Sequence, residues 1–247
     1  MEWRDTGFVL AGRRHGESSL IVEVLTSVHG RHAGLVRGGQ SPKLRAVLQP
    51  GNKIVATWRG RLTEHLGMLS CELVRAHAAR FLDDPDRLAA LAAATAIIAA
   101  ALPEREPQLE VFASFEDLIE ALDSGTDWLA RYIGWERDLL AALGFGLDLG
   151  RCALTGVATD LAYVSPRTGR AVSRAAGLPY RDKLLTLPGF LWCGERADVH
   201  QLALGIALTE HFLVRHVFAS QERTLPAARV RLAERLQKAA LADRMRG

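Results

Sequence analysis

Nine basic side chains, Arg13, Arg14, Arg31, Arg37, Lys43, Arg45, Lys53, Arg59 and Arg61, fall within the first 61 residues, at the ends of apolar runs and in glycine-rich connections. Guanidinium and ammonium groups at that density suit one task above others, the neutralisation of a polyanion. Residues 1–80 hold 12 Lys/Arg against 6 Asp/Glu, net +6, whereas the remainder holds 19 against 22, net −3. A basic N-terminal part joined to a slightly acidic C-terminal part therefore points to a polyanionic partner for the first. A single nucleic-acid strand is held by such cations along its phosphates and by aromatic platforms under its bases. Trp3, Phe8 and Trp58 are the nearby aromatics. Trp58, between Thr57 and Arg59, reads as a core residue rather than a platform. About five phosphate contacts would give a log–log salt slope of roughly −3 to −4 on a single strand. The plain alternative is that these cations only solubilise a small barrel. Arginine supplies 27 of the 31 basic residues, a compositional skew that carries no function by itself.

No motif supports catalysis. His15-Gly16-Glu17 has the H-x-E form of a zinc deaminase, but the P-C-x-x-C that completes that site is missing. Gly38-Gly39 leads to neither a phosphate loop nor a dinucleotide fingerprint, and Ser41, Ser165 and Ser173 lie outside any G-x-S-x-G elbow. The carboxylate pairs Asp83/Asp84 and Glu116/Asp117 read as helix caps and solvated faces. Cys71, Cys152 and Cys193 are odd in number and form no C-x-x-C pair, so neither a disulfide framework nor a four-ligand structural zinc is expected. His29/His32 flank a turn, and His211/His216 are spaced five apart rather than the four that aligns two ligands on one helix face.

The elements that must position the cations are β in the first 75 residues. Short apolar or β-branched runs at 8–10, 20–25, 32–36, 54–58 and 66–69, punctuated by glycines, predict a five-stranded closed barrel of OB or SH3-like type. The pattern changes near Phe81. Asp84-Pro85 reads as a helix start, with a carboxylate cap and proline at the first helical position, ahead of the stripe Leu88, Leu91, Thr95, Ile98 and Leu102. A second stripe runs from Leu109 to Leu122, and a third from Trp128 to Leu143, closed by Gly144. Residues 147–197 are rich in glycine, proline and arginine and read as an irregular insertion. Helix resumes over about 198–218 and 225–241. The expected class is α+β: a nucleic-acid-binding barrel over 1–80 and an α-helical domain over 81–247.

Hydrophobic residues make up 49% and charged residues 24%, which excludes disorder as the main state. The longest early run without charge or proline, 88–102, is 15 residues and mostly alanine, short of the roughly 20 apolar residues that span a bilayer. Met1-Glu2-Trp3-Arg4-Asp5 has no basic-then-apolar signal pattern, so no membrane association is expected and the cytoplasm is the expected location.

Several stretches, taken in order and spacing, resemble the RecO family of bacterial recombination mediators. They are Gly7-Phe8-Val9-Leu10, Arg14-His15-Gly16-Glu17-Ser18-Ser19-Leu20-Ile21-Val22, His29 through Gly39, Leu48-Gln49-Pro50-Gly51, Trp135-Glu136 through Gly146, and Cys152-Ala153-Leu154-Thr155-Gly156 through Tyr163-Val164-Ser165-Pro166. The resemblance implies an N-terminal OB fold and an α-helical domain with a zinc-knuckle-like segment. It further implies binding of single- and double-stranded DNA, strand annealing, contacts with RecR and with the C-terminal tail of the single-strand-binding protein, and loading of RecA during gap repair. Some members hold zinc with four cysteines. Here Thr155 stands in the second ligand's place and Cys193 has no cysteine nearby, so the zinc site reads as lost and no cofactor is expected. Arg131, one turn before Trp135, is the candidate cation for the acidic tail. Arg167, Arg170, Arg174, Arg181 and Lys183 are candidates to extend the DNA path. An RNA-binding or ribosome-associated OB-fold protein is the alternative reading.

Overall fold

A computed structural model of the chain describes residues 1–62, 65–219 and 222–246. By contacts the chain divides into two compact units, Met1–Gly125 with Pro226–Arg229, and Thr126–Leu225 with Val230–Gly247.

The first unit is built on five strands, β1 (Glu2–His15), β2 (Ser19–Thr26), β3 (Gly30–Val36), β4 (Lys53–Arg59) and β5 (Met68–Arg75), with a short helix α1 (Pro42–Val47) between β3 and β4. They close in the order β1-β2-β3-β5-β4, with β4 returning antiparallel to β1. That order, with a helix after the third strand, is the OB arrangement and decides between the two barrel types left open by the sequence. The 14-residue β1 makes closure possible: Glu2–Phe8 pairs with β4 while Gly7–His15 pairs with β2, and the register slips between Val9 and Ala11. Such an irregularity bends a long strand so that one chain serves two neighbours.

Alternation of side chains sends Val9, Val22, Val24, Ile54, Ala56, Trp58 and Leu69 into the barrel. Trp58 is fully buried, and its indole N–H donates to the Leu66 carbonyl at 2.9 Å, so it is core as its sequence context suggested. The closing contact is narrow: β3 meets β5 through one parallel pair, Leu35 with Met68. Gly34 allows this approach, because a Cβ there would run into Leu69. Gly30 adopts φ +64°, and its missing Cβ leaves room for the backbone carbonyl of Glu106.

Three helices complete this unit: α2 (His77–Arg80), α3 (Pro85–Ala101) and α4 (Leu109–Ser124). Asp84 caps α3 by accepting from the backbone N–H groups of Asp86 and Arg87, and Pro85 opens the helix, as the sequence predicts. Phe8, on the outer side of β1, packs against Phe115 edge-on at 5.1 Å and Phe112 at 5.5 Å, which fixes α4 on the barrel.

The second unit contains α5 (Trp128–Ala142), a three-stranded sheet, a short helix α6 (Arg174–Gly177) and α7 (Val199–Phe212), which continues as a π-helical stretch over Leu213–Phe218. A long helix α8 spans Ala227–Arg244. Glu136 on α5 and Thr209 on α7 meet in the buried interior, where the Thr209 hydroxyl donates to the carboxylate. The sheet corrects the expectation of an irregular 147–197: β6 (Leu161–Val164), β7 (Ala171–Ser173) and β8 (Leu185–Thr186) pair antiparallel in the order β7-β6-β8. Strands of four, three and two residues are too short to show period-two alternation between so many turn residues.

His32 supplies a pH test of the barrel. It is buried, neither ring nitrogen meets a hydrogen-bond partner, and Trp3 and Trp58 sit edge-on to it at 5.1 and 5.0 Å. Burial, then the charges of Arg105 and His29, push its pKa down to about 4, with Glu104 opposing. The folded state therefore keeps His32 neutral, whereas the unfolded chain protonates it near 6.5. Stability from this residue is complete above about pH 6.5 and is lost as pH falls toward 4, by up to about 3 kcal/mol. Urea midpoints measured between pH 7 and 4 should fall accordingly, and less steeply in His32→Phe. An unchanged slope in that variant would show that other groups carry the acid sensitivity.

Candidate nucleic-acid interface

The end of the barrel where β1 meets β2 gathers five of the nine cations. Arg13 and Arg14 close β1, paired with Ile21 and Leu20, and Leu20 in turn pairs with Val36 on β3. Arg37 follows immediately, and Lys43 and Arg45 lie on α1. Gln40 ties these segments together: its side-chain amide donates to the carbonyls of Gly16 and Ser19, both at 3.1 Å, and its backbone N–H donates to Ser18. Arg14 and Arg45 thereby face one cleft of about 290 Å³, floored by Leu20, Leu48 and Pro50. The pleat turns Arg13 away from Arg14, so the charge wraps around the rim.

Arg13, Arg14, Arg37, Lys43 and Arg45 are exposed, and none forms an ion pair among the described residues. Glu17, in the exposed β1–β2 turn, is the acidic residue of this end. Five unpaired cations against one carboxylate leave a strong positive field, of the kind that attracts a polyanion at no cost in broken ion pairs.

The other cations are placed differently. Arg59 and Arg61 lie at the far end of β4, where Arg59 pairs with Glu2 at 2.8 Å in full solvent exposure beside an open hollow lined by Met1, His65 and Met68. Neither arginine lines the cleft that Arg14 and Arg45 face, and Arg59, unlike the five cations of the main cluster, is ion-paired. Lys53 pairs with Glu116 and lies over the ring of Phe8, 5.9 Å from its centroid. That lysine fastens α4 to the barrel.

Arg31 is corrected from interface to scaffold. Its side chain is only 12% exposed; it contacts Glu23 at 2.7 Å, approaches Glu104 at 3.5 Å, and donates from Nε to the carbonyl of Leu102, the residue that ends α3, at 2.9 Å. A guanidinium at a helix C-terminus also opposes the negative end of the helix dipole. At most three of its five N–H groups are engaged, but at 12% exposure the guanidinium gives a phosphate little access.

Aromatic platforms are missing from this unit's surface. Among the described residues, Phe8, Trp58, Phe81, Phe112 and Phe115 are buried, and Trp3 is half-buried under His29, stacked at 4.3 Å. The exposed groups of this end are therefore cations rather than stacking faces, an arrangement that suits contact with a sugar–phosphate chain. The role of Gln40 had no signature in the sequence, because its acceptors lie 21 and 24 residues away.

Two family models match the chain in sequence, Recombination protein O N terminal over residues 1–77 and Recombination protein O C terminal over residues 82–226. The chain belongs to the RecO family. It is similar to the DNA repair protein RecO of Rhodospirillum centenum, 52% identical over 97% of this chain and 96% of that one. It is also 50% identical to the DNA repair protein RecO of Rhodospirillum rubrum, over 99% and 100% of the two chains, and 50% identical to that of Phenylobacterium zucineum, over 97% and 99%. The RecO family models meet near residue 80, at the end of the barrel, whereas the packing boundary falls at Gly125 because α3 and α4 belong with the barrel.

A structural zinc needs four tetrahedral donors. Here Cys152 is buried and takes hydrogen bonds from the hydroxyls of Ser173 and Thr155 and from the backbone N–H groups of Ser173 and Leu154. Burial alone would raise its pKa, and these bonds outweigh it, bringing the thiol down to about 6. One sulfur held by hydroxyls and amides is not a zinc donor set, and no three His, Cys, Asp or Glu side chains gather as ligands among the described residues. No described helix is long and apolar enough to cross a membrane.

Proposed function

We propose that the chain is a DNA repair and recombination mediator: it binds single- and double-stranded DNA by the backbone, anneals complementary strands, and works with RecR to load RecA onto DNA coated by the single-strand-binding protein. The observation that carries this reading is the cluster of Arg13, Arg14, Arg37, Lys43 and Arg45, exposed and free of ion pairs at one barrel end. Bringing two strands together requires that both backbones be neutralised while the base edges stay free to pair, and phosphate contacts alone meet both conditions. This role is non-enzymatic and cytoplasmic, and it uses no zinc.

Access to a coated strand requires a second contact, with the acidic, apolar-ended tail of the coating protein. Arg131 stands exposed on α5, one turn before the buried Trp135, and forms no ion pair with Asp127 or Glu136. It is the cation that receives that tail.

Strand annealing, measured on bare and coated complementary oligonucleotides, tests both halves together. The chain is expected to accelerate annealing of bare strands, with or without a chelator, and to act on coated strands only when the coating protein keeps its tail. No acceleration on bare strands would refute the mediator reading. Equal rates on tailless coats would refute the role of the tail, and preference for structured RNA at matched salt would favour the RNA-binding alternative.

A further inference from the structure

The small sheet of the second unit builds a surface that the barrel lacks. A cleft of about 450 Å³ opens over β6 and β7, with Leu154, Val172 and Leu184 forming its apolar walls and Tyr180 at its edge. Tyr180 is 56% exposed and Leu154 64% exposed, so an aromatic face and an aliphatic face are both presented to solvent. Tyr180 is held out by the 3-10 turn Leu178–Lys183, which follows α6 directly. Thr168 and Arg170, on the turn between β6 and β7, supply the polar side of the cleft. Arg170 pairs with Asp148 at 3.3 Å, but both are about half exposed, and the guanidinium remains within reach of a ligand.

The charge around this cleft is distributed rather than focused. Arg170 lines the cleft; exposed Arg167 precedes its lining residue Thr168 in the chain, and exposed Arg181 and Lys183 follow Tyr180, with Asp182 paired to Arg181 at 3.6 Å. A peptide that ends in one carboxylate needs a single cationic focus. A chain with one phosphate per residue threads past cations on both sides of the group it inserts.

We propose that this cleft is a base-binding subsite for single-stranded nucleic acid, in which an unpaired base stacks on Tyr180 against the Leu154 and Leu184 side while Arg167, Arg170, Arg181 and Lys183 hold the flanking phosphates. The inference rests on the DNA-binding reading above and adds the base contact that the barrel's own surface does not provide.

The test compares the full chain with its Tyr180→Ala and Tyr180→Phe variants in binding two oligonucleotides of equal length, one all-thymidine and one with abasic sites throughout. Loss of one stacking contact by alanine substitution should weaken binding to the base-bearing strand about 5- to 150-fold at fixed salt. The salt slope should stay unchanged because no phosphate contact is removed, the abasic strand should bind all three proteins alike, and Tyr180→Phe should match the parent. A Tyr180→Ala protein that still prefers bases to abasic sites by the parental margin overturns the subsite, while the DNA-binding reading stands. If the parent protein binds neither strand, the DNA-binding reading itself fails. If Tyr180→Ala leaves both strands bound normally but loses an acidic peptide with an apolar C-terminus, the cleft is a protein dock, and the proposal is overturned in that way.

Discussion

Replacing Arg13, Arg14 and Arg37 together with alanine is expected to weaken DNA binding about 100-fold at 0.1 M salt, without regard to base sequence. The estimate follows from counterion release: on a single strand each neutralised phosphate contributes a slope of about −0.7, hence about 0.7 decade per contact at 0.1 M. Three lost contacts remove about two decades of affinity and flatten the log–log salt slope by about 2. Binding titrations at several salt concentrations, on two oligonucleotides of different sequence, check both quantities. All three side chains are exposed and unpaired, so the folded state should be little changed, and a matching loss of stability would point to a scaffold role instead. A loss confined to one sequence would contradict backbone contact.

Arg31→Ala should do the reverse, reducing stability by about 3 kcal/mol while leaving the salt slope of DNA binding intact. Removing one partner from a mostly buried ionic contact leaves the rest uncompensated, and such losses commonly reach about 3 kcal/mol or more. Here Glu23 would lose its partner and the end of α3 would lose the donor to Leu102. Arg31→Lys should recover only part, because an ammonium cannot reproduce the planar fork that reaches Glu23 and Leu102 at once. Urea midpoints and DNA titrations on the same samples decide the matter. A flattened salt slope with unchanged stability would return Arg31 to the interface.

The contrast between these arginines shows what a sequence can disclose. Arg14 and Arg31 read alike in the chain, each basic and beside a glycine turn. What separates them is partners at distance: Glu23 on the neighbouring strand and a carbonyl 71 residues away fix Arg31, and no local pattern announces either. Elements set by local chemistry were legible. Asp84-Pro85 opens α3 through a cap and a preset φ, and Gly144 follows α5 at φ +87°. The helix α1 escaped notice because six residues are too few to show a helical period: Leu44 and Val47 pack, half-buried, against the barrel core, and only Ser41-Pro42 marks its start. The exposure of Tyr180 was equally hidden, since it depends on a 3-10 turn supported by strands too short to read.

The lone pairing of Leu35 with Met68 gives the cylinder one weak clasp among four long zippers. A rolled ribbon of this kind has a preferred place to uncurl, and it lies beside the rim: Leu35 is in register with Ile21 and Arg13 and stands two residues before Arg37. Thermal breathing at the clasp would thus reach Arg37, while the side of the rim that bears Arg14 and Arg45 is held by the β1–β2–β3 ladder and the Gln40 amide. A surface that grips a moving polymer can in this way yield at one flank and keep its shape at the other.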